Sequence, residues 1–219
     1  MLVSVKRYRI VYEDEYIIVV DKPQGMLVIP TPKRETNTLT HLLNRDLDER
    51  GIEVNAYPCH RLDRETSGLI IYSKGKKVQG LMMDEFKNRK VKKLYIAFVQ
   101  GKIKKDFGEV RIPIYNRNKN RSEFAATKYR TLKRTNDFSV LEVEPVTGRT
   151  NQIRIHLKGI GHPLLGESVY AFRKDFKLRF RRLALHAKYL EFVHPITKKR
   201  ISFESPLPND MNAFLLKKV

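Results

Sequence analysis

The apolar residues of this chain fall into many short runs, and most of these runs have the length and composition of β-strands. Two segments, 38–50 and 76–88, instead carry apolar residues at helical spacing. The predicted strands mostly follow one another directly, which favours an α+β fold with a largely antiparallel mixed sheet and flanking helices and loops. The predicted strands span residues 7–12, 16–21, 69–72, 94–99, 110–114, 124–134, 138–144, 183–193 and 200–204.

The segment 150–159 fits two structures. Its apolar residues alternate as in a strand, but Ile153, His156 and Leu157 also share one face of a helix. Thr150 could cap the N-terminus of such a helix and a glycine could end it. We therefore predict a helix here.

A tight loop, a last helix and the absence of a linker complete the predicted fold. Residues 21–26 form a tight loop, because Pro23 fixes φ and Gly25 permits a positive φ. A last helix is expected over residues 210–217. The sequence contains no internal repeat and no Gly/Ser-rich linker, so we expect residues 1–219 to form a single domain.

The chain is strongly basic, with 44 Lys and Arg against 24 Asp and Glu, a formal net charge of +20 and a pI of about 10.0. Such a surplus favours a polyanionic partner, most of all a nucleic acid, over an anionic membrane surface or a merely basic soluble protein. Cations also alternate with aromatic rings, as expected of a surface that follows phosphates while rings stack on bases. This mixture occurs between residues 173 and 182 and at Arg111, Tyr115, Arg117, Lys119, Arg121 and Phe124.

Several classes of protein are excluded or disfavoured. The single cysteine excludes a disulfide scaffold and a multi-thiolate zinc site. No apolar run approaches the roughly 18–20 residues of a membrane span, and the N-terminus does not have the pattern of a signal peptide, so we expect a cytoplasmic protein. None of the six histidines has the spacing of a metal site, and no phosphate-binding glycine motif occurs, so we expect neither a metal nor a cofactor.

The segment 60–68 has the highest density of chemically useful residues. Asp63 lies close to Arg61 and Arg64, whose positive charges favour the carboxylate anion. An ionised carboxylate can act as a nucleophile, a base or an electrostatic stabiliser. From the residues alone, a surface ion pair followed by a Thr-Ser-Gly turn is the favoured alternative.

Two later segments could bind an anion or a base. Arg149 and Arg154 could grip a phosphate or carboxylate through their forked guanidinium groups, or could simply begin a basic amphipathic helix. Tyr95 could stack on a base while Lys92 and Lys93 hold phosphates. By pattern alone, Tyr95 is rather an ordinary aromatic residue of a strand.

Taken together and in order, these segments resemble the RluA-type family of pseudouridine synthases. The resemblance extends from about residue 16 to residue 206. The chain differs from the usual family pattern at Asn151, where His is usual, at Ser73, where Ala is usual, and at Glu167, where Asp is usual. The matching segments are Asp21-Lys22-Pro23 with Gly25, residues 60–74 around His60-Arg61-Leu62-Asp63-Arg64, Lys93-Leu94-Tyr95-Ile96-Ala97, residues 148–154 and Arg182-Leu183-Ala184-Leu185-His186-Ala187.

The resemblance implies the pseudouridine synthase fold and the isomerisation of uridine to pseudouridine within RNA, without a cofactor. It implies that Asp63 is the nucleophile or the acceptor of a ribose proton, and that Arg154 pairs with it. Tyr95 is implied to stack on uracil and to help remove its C5 proton. The side chains implied to contact RNA are His60, Arg61, Arg64, Lys93 and Arg149, with Arg61 filling the space that the flipped base leaves.

The substrate implied is a structured ribosomal or transfer RNA. The sequence starts almost directly at the matching segments, so we expect no appended RNA-binding domain, and we assume a monomer. A non-catalytic RNA-binding protein with the same fold is the first alternative. The second is a metal-dependent nuclease, which would need clustered carboxylates.

Overall fold

A computed structural model of the chain describes residues 7–171 and 178–218. The chain forms two compact units. The first unit contains Met1–Lys92 and Tyr189–Ser205, and the second contains Lys93–Lys188 and Pro206–Val219. Part of the predicted basic and aromatic run between residues 173 and 182 lies outside the described residues.

The described elements mix strands with four helices, as expected for an α+β fold. A short 3₁₀ helix, Arg117–Lys119, adds to them. In chain order they are β1 (Arg9–Glu13), β2 (Ile17–Lys22), α1 (Leu39–Glu49), β3 (Ala56–Pro58), β4 (Ser67–Lys74), α2 (Lys76–Lys87), β5 (Lys92–Gln100), β6 (Phe107–Val110), β7 (Ile114–Asn116), β8 (Arg121–Glu123), β9 (Thr127–Arg134), β10 (Phe138–Pro145), α3 (Gln152–Gly159), β11 (Leu185–Val193), β12 (Arg200–Glu204) and α4 (Asn209–Lys218).

The first unit is built on antiparallel strands. β2 lies between β1 and β4, in a register that pairs Ile17 with Ser73 and Lys22 with Gly68. β3 pairs with the end of β4, and residues 189–193 of β11 pair with β12. Alternate residues of β2 and β4 form a core with α2 and β11, because side chains two apart in a strand share a face. This core contains Ile17, Val19, Cys59, Leu69, Ile71, Val78, Met82, Val91, Leu190 and Phe192.

The second unit contains an antiparallel sheet in the order β5-β10-β9-β6 and a separate two-stranded ribbon of β7 and β8. Its core is dominated by aromatic rings. Phe214 of α4 packs 5.3 Å from Phe138 and 5.2 Å from Phe180, measured between ring centroids. The buried members of this core are Ile96, Phe98, Phe138, Val140, Leu165, Ala184 and Met211.

The fold class and all four helices are confirmed. The helix chosen for 150–159 forms as α3, but the cap predicted at Thr150 is wrong. Asn151 is the N-cap residue, with φ of 54° and no side-chain capping bond. Asparagine tolerates this left-handed conformation better than threonine does, because threonine is β-branched.

The predicted strand over 110–114 is also wrong. β6 ends at Val110 and β7 begins at Ile114. Pro113 lies between them and lacks the N–H that a continuous ladder requires. The short strands β3 and β8 were not predicted, because three-residue strands carry almost no periodicity.

No helix within residues 7–171 and 178–218 is long and apolar enough to cross a membrane.

One close backbone approach fixes a turn in the second unit. The N–H of Ala184 donates to the carbonyl of Leu165 at 2.9 Å, and the N–H of Leu165 donates to the carbonyl of Phe98 at 2.8 Å. Gly166 follows with φ of 75°, and a Cβ added there would overlap the carbonyl oxygen of Arg182. This turn therefore requires glycine both for its dihedral angle and for its space.

We expect Gly166→Ala to lower the free energy of unfolding by more than about 2 kcal/mol, because backbone overlap adds to the cost of a positive φ. Gly161→Ala is the matched control, since Gly161 also has a positive φ, 81°, but nothing lies within 4 Å of its added Cβ. Urea titration of both variants measures the difference. Equal losses in the two variants would show that the overlap relaxes without cost.

Candidate active site

Asp63 lies on a turn whose two ends are hydrogen-bonded within the first unit. The N–H of Thr66 donates to the carbonyl of Asp63 at 3.1 Å, and β4 begins at the next residue. On the other side, the N–H of Ile71 donates to Nε2 of His60 at 3.1 Å, and Cys59 donates to the carbonyl of Ile71 at 2.9 Å. The segment before Asp63 is thus fixed to the strand that follows it.

The residues around Asp63 differ in exposure. Leu62 is buried and anchors the turn, Asp63 is half-buried, and Arg61 and Arg64 are exposed. The His60 ring packs 4.8 Å from the ring of Phe86. His60 thus has a structural role in this turn, and its predicted contact with RNA stays a prediction.

A buried lysine joins the upstream loop to the Asp63 turn. Lys22 is fully buried, and its Nζ donates to the carbonyls of Pro23, Met26 and Arg64 at 2.9, 2.8 and 3.2 Å. Gly25 and Arg64 exchange two more bonds, from the Gly25 N–H at 2.8 Å and from the Arg64 Nε at 3.1 Å. The ammonium group therefore fixes the residue directly after Asp63.

Sequence reasoning missed this role of Lys22. The Asp-Lys-Pro sequence predicted only a tight loop, and a lysine there would ordinarily be assigned to the surface. The signal that could have found it is the fully buried run of β2, since Lys22 lies two residues after the buried Val20 and so on the same face of the strand.

In the second unit, Lys93 and Tyr95 lie two residues apart on β5 and so point to the same face. Tyr95 pairs with Val143 of β10, and only 8% of its surface is exposed. Burial lowers the pKa of the Lys93 ammonium. A lysine of this kind gives up its charge more readily than a surface lysine, and contact with an anion would favour the charged form.

Arg154 lies in the first turn of α3 and makes a forked ion pair. Its Nε and Nη2 donate to the two carboxylate oxygens of Glu167 at 2.8 and 2.6 Å. Its Nη1 donates to Oδ1 of Asn151 at 3.3 Å, and its guanidinium carbon lies 5.2 Å from the centre of the Tyr170 ring. Glu167 was not among the predicted site residues, and no spacing rule joins it to Arg154.

Gln152 fixes the start of α3, which was also missed. Its amide oxygen accepts from the Thr147 hydroxyl at 2.6 Å and from the Arg149 N–H at 3.0 Å. Its amide nitrogen donates to the carbonyl of Ala126 and to Oγ1 of Thr127, both at 2.9 Å. Gln152 therefore ties the loop before α3 to the start of β9.

Arg149 contacts the end of the β7–β8 ribbon. Its Nε donates to the carbonyl of Phe124 at 3.2 Å, and its Nη1 lies 3.1 Å from a carboxylate oxygen of Glu123. Hydrogen bonds from Lys119 and Asn116, with the charge of Arg149, lower the pKa of Glu123 to about 2. Glu123 is therefore an anion at every physiological pH and holds these cations at the ribbon.

The predicted residues thus fall into two groups. His60, Arg61, Asp63 and Arg64 lie on one turn of the first unit. Lys93 and Tyr95 on β5, and Arg149 and Arg154 at α3, belong to the second unit. Across the residues that the structure describes, no three His, Cys, Asp or Glu side chains are grouped as metal ligands would be.

Comparison with known sequences identifies the family. The family described as RNA pseudouridylate synthase matches residues 16–158, which include both the Asp63 turn and Arg154. The chain is 39% identical to an uncharacterized RNA pseudouridine synthase, YlyB, of Bacillus subtilis over 92% of this chain and 70% of that protein. It is 37% identical to ribosomal large subunit pseudouridine synthase D of Nitrosomonas europaea, over 94% of this chain and 64% of that protein.

A shorter relative is matched along nearly its whole length. The dual-specificity RNA pseudouridine synthase RluA of Haemophilus influenzae is 34% identical over 90% of this chain and 91% of that protein. The fold is also that of the human RNA pseudouridylate synthase domain containing 4, with a TM-score of 0.80 over 95% of this chain and 92% of that one at 24% identity. The chain therefore belongs to the RluA-type family of RNA pseudouridine synthases, enzymes that isomerise uridine in RNA.

Proposed function

We propose that this enzyme converts specific uridines of a structured RNA to pseudouridine with Asp63 as its catalytic carboxylate and without a cofactor. The observation that carries this proposal is the anchoring of the Asp63 turn. Hydrogen bonds from β4 and from the buried Lys22 fix the backbone on both sides of Asp63. A half-buried carboxylate on so rigid a turn is preorganised for reaction at one position.

The reaction requires the anion of Asp63. The bond between N1 of uracil and C1′ of ribose breaks, the base turns, and C5 bonds to C1′ while its proton leaves and N1 gains one. Atoms and electrons balance without an oxidant or reductant, so no redox group is needed. Whether Asp63 attacks the sugar or accepts a ribose proton, only the carboxylate form can act.

The proposed partners of Asp63 follow from the family resemblance and from their local geometry. Arg154 pairs with Asp63 during the reaction and keeps it ionised, and its forked contact with Glu167 supports a fixed direction. Tyr95 stacks on the uracil and assists removal of the C5 proton. The sheet already holds the Tyr95 ring in place, so little side-chain entropy would be lost when a base stacks on its accessible part.

The target base must leave its stack to reach these groups, at a cost of a few kcal/mol. We propose that Arg61, which is exposed beside Asp63, fills the space left in the RNA. Arg64, Lys93 and Arg149 neutralise phosphates near the target. Loop uridines are favoured, because an A-form helix hides its base edges.

The β7–β8 ribbon is proposed as an additional RNA contact. Arg117 and Arg121 are exposed there, and Tyr115 and the adjacent Phe124 expose 55% and 53% of their surfaces. Exposed rings beside cations suit unpaired nucleotides, which can stack while their phosphates are neutralised. We propose ribosomal or transfer RNA as the substrate, modified in the cytoplasm by a monomer.

We expect Asp63→Asn to reduce tritium release from RNA labelled at C5 of uridine by roughly 10⁴-fold or more, because the neutral amide can neither attack nor accept a proton. RNA affinity should be unchanged, since the fold and the cations stay. Glu65→Gln is the matched control and should retain activity. Full activity of Asp63→Asn would end the assignment and favour a different catalytic group.

We expect Tyr95→Phe to lower kcat/KM only in part. Tyr95→Ala should lower kcat/KM by an amount equivalent to about 1–3 kcal/mol of transition-state stabilisation, because only the alanine variant loses stacking. Steady-state kinetics on a fixed RNA substrate measure both effects. Tyr129→Ala on β9, in the same sheet, controls for loss of a sheet aromatic residue. Equal kcat/KM in the wild type and both Tyr95 variants would remove Tyr95 from the site.

We expect the affinity of the wild type for RNA to fall steeply as the salt concentration rises. The joint variant Arg117→Ala/Arg121→Ala should have a shallower slope of log K against log salt, by about 1 per lost phosphate contact. Arg45→Ala is the control, since Arg45 is exposed on α1 and paired with Glu49. Filter binding over a salt series measures the slopes. An unchanged slope for the joint variant would show that the ribbon does not bind RNA.

A further inference from the structure

Glu167 is the most fully bonded carboxylate described in the second unit. Only 1% of its side chain is exposed. Its Oε1 accepts from the N–H groups of Ser168, Val169 and Tyr170 at 3.0, 2.9 and 3.3 Å, in addition to Nη2 of Arg154. Its Oε2 accepts from Nε of Arg154. A carboxylate with so many fixed donors has one orientation.

The backbone donors come from a turn that is itself rigid. Glu167 directly follows Gly166, whose lack of a side chain allows the turn to approach the carbonyl of Arg182. The N–H of Glu167 also donates to the carbonyl of Leu164 at 3.2 Å. The backbone of Glu167 is thus held by this turn, and its carboxylate is held with it.

A second group of contacts restrains Arg154 from α3. Asn151 accepts from Nη1 of Arg154, and its amide nitrogen donates to the Tyr170 hydroxyl at 2.8 Å. Tyr170 also lies against the guanidinium group. The three bonds to Glu167 and Asn151 use three of the five guanidinium N–H donors and fix the plane in which the other two point.

The charge of Glu167 is stable in this interior. Burial would raise the pKa of its carboxyl, but the bonds from Arg154, Val169 and Tyr170 lower it below its usual value. Removing one partner of a buried ion pair is strongly unfavourable. The pair therefore stays ionised as one unit.

We propose that Glu167 is a positioning residue for the isomerisation: by its forked contact it sets the direction of the Arg154 guanidinium, and Asn151 and Tyr170 restrict the remaining rotation. This inference rests on the proposed role of Arg154 as the partner of the catalytic carboxylate. Glu167 touches neither substrate nor reacting atoms and acts only through Arg154.

The test compares Glu167→Gln, Glu167→Asp and Arg154→Lys in steady-state kinetics on one RNA substrate. Glu167→Gln should lower kcat by roughly 10²-fold, because a guanidinium displaced by about 1 Å loses its alignment. KM should be nearly unchanged, because Glu167 does not bind RNA. Glu167→Asp keeps the charge but shortens the side chain by one methylene group, so it should recover only part of the lost kcat. In the Arg154→Lys background, Glu167→Gln should cause little further loss, because the forked contact is already gone.

Asp210→Asn is the matched structural control. Asp210 makes another forked pair with a buried arginine of the same unit, through Arg182 Nε and Nη2 at 2.6 and 2.9 Å. It should lower the melting temperature while leaving kcat of the folded enzyme unchanged. If Glu167→Gln and Asp210→Asn affected kcat equally at matched folded fractions, Glu167 would be only structural and the inference would be wrong.

The remaining outcomes are also decisive. If Glu167→Gln does not fold, Glu167→Asp carries the test: a fall in kcat that disappears in the Arg154→Lys background supports the inference, and wild-type kcat overturns it. If Arg154→Lys keeps full activity, the proposed role of Arg154 fails first. If Arg154→Lys loses activity while Glu167→Gln does not, only the positioning role is overturned.

Discussion

An ammonium group without water is stable in a protein interior only when oxygen atoms replace its hydration, and Lys22 has the carbonyls of Pro23, Met26 and Arg64 for this purpose. These three carbonyls belong to two different loops, one at the end of β2 and one just after Asp63. The ammonium group therefore joins two loops that are distant in sequence. Without it, the turn that carries Asp63 would be tied to the unit through β4 and the two bonds between Gly25 and Arg64 alone, and the carboxylate would lose part of its fixed position.

The second unit also contains a buried ion whose hydration is replaced by protein groups, but this ion is negative. Glu167 is a buried anion whose water is replaced by backbone N–H groups and by the Arg154 fork. In each unit, a buried charge links a residue proposed for catalysis, or the turn that carries it, to backbone groups by hydrogen bonds. A buried ion of this kind has a cost, because it lowers the stability of the fold whenever one of its partners is missing. The glycine requirement at residue 166 is one visible cost, since the turn that supplies the donors tolerates no side chain there.

The sequence predicts most helices and strands and the residues proposed to react, but not the hydrogen-bonding partners that fix those residues. Helices α1 and α2 follow from the periodicity of their apolar residues, and β9 and β10 correspond to the strands predicted over 124–134 and 138–144. Local patterns cannot show that Lys22 bonds to residue 64 or that Arg154 bonds to residue 167, because those partners are distant in sequence. Asn151 shows the intermediate case: it departs from the usual family pattern, yet its left-handed backbone and its bond to Tyr170 become readable only in three dimensions.

The local ion pairs and the overall charge of this chain serve different purposes. Glu167 with Arg154 and Asp210 with Arg182 set local geometry, and Glu123 does so for Arg149 at the ribbon. None of this pairing reduces the net charge of +20, which acts at long range on any polyanion. At 0.1 M salt, the interaction between exposed charges is largely screened once they are more than about 10 Å apart, whereas buried pairs are screened much less. Ionic strength therefore acts on the capture of RNA, while the buried pairs keep the geometry of the site at the same salt concentration.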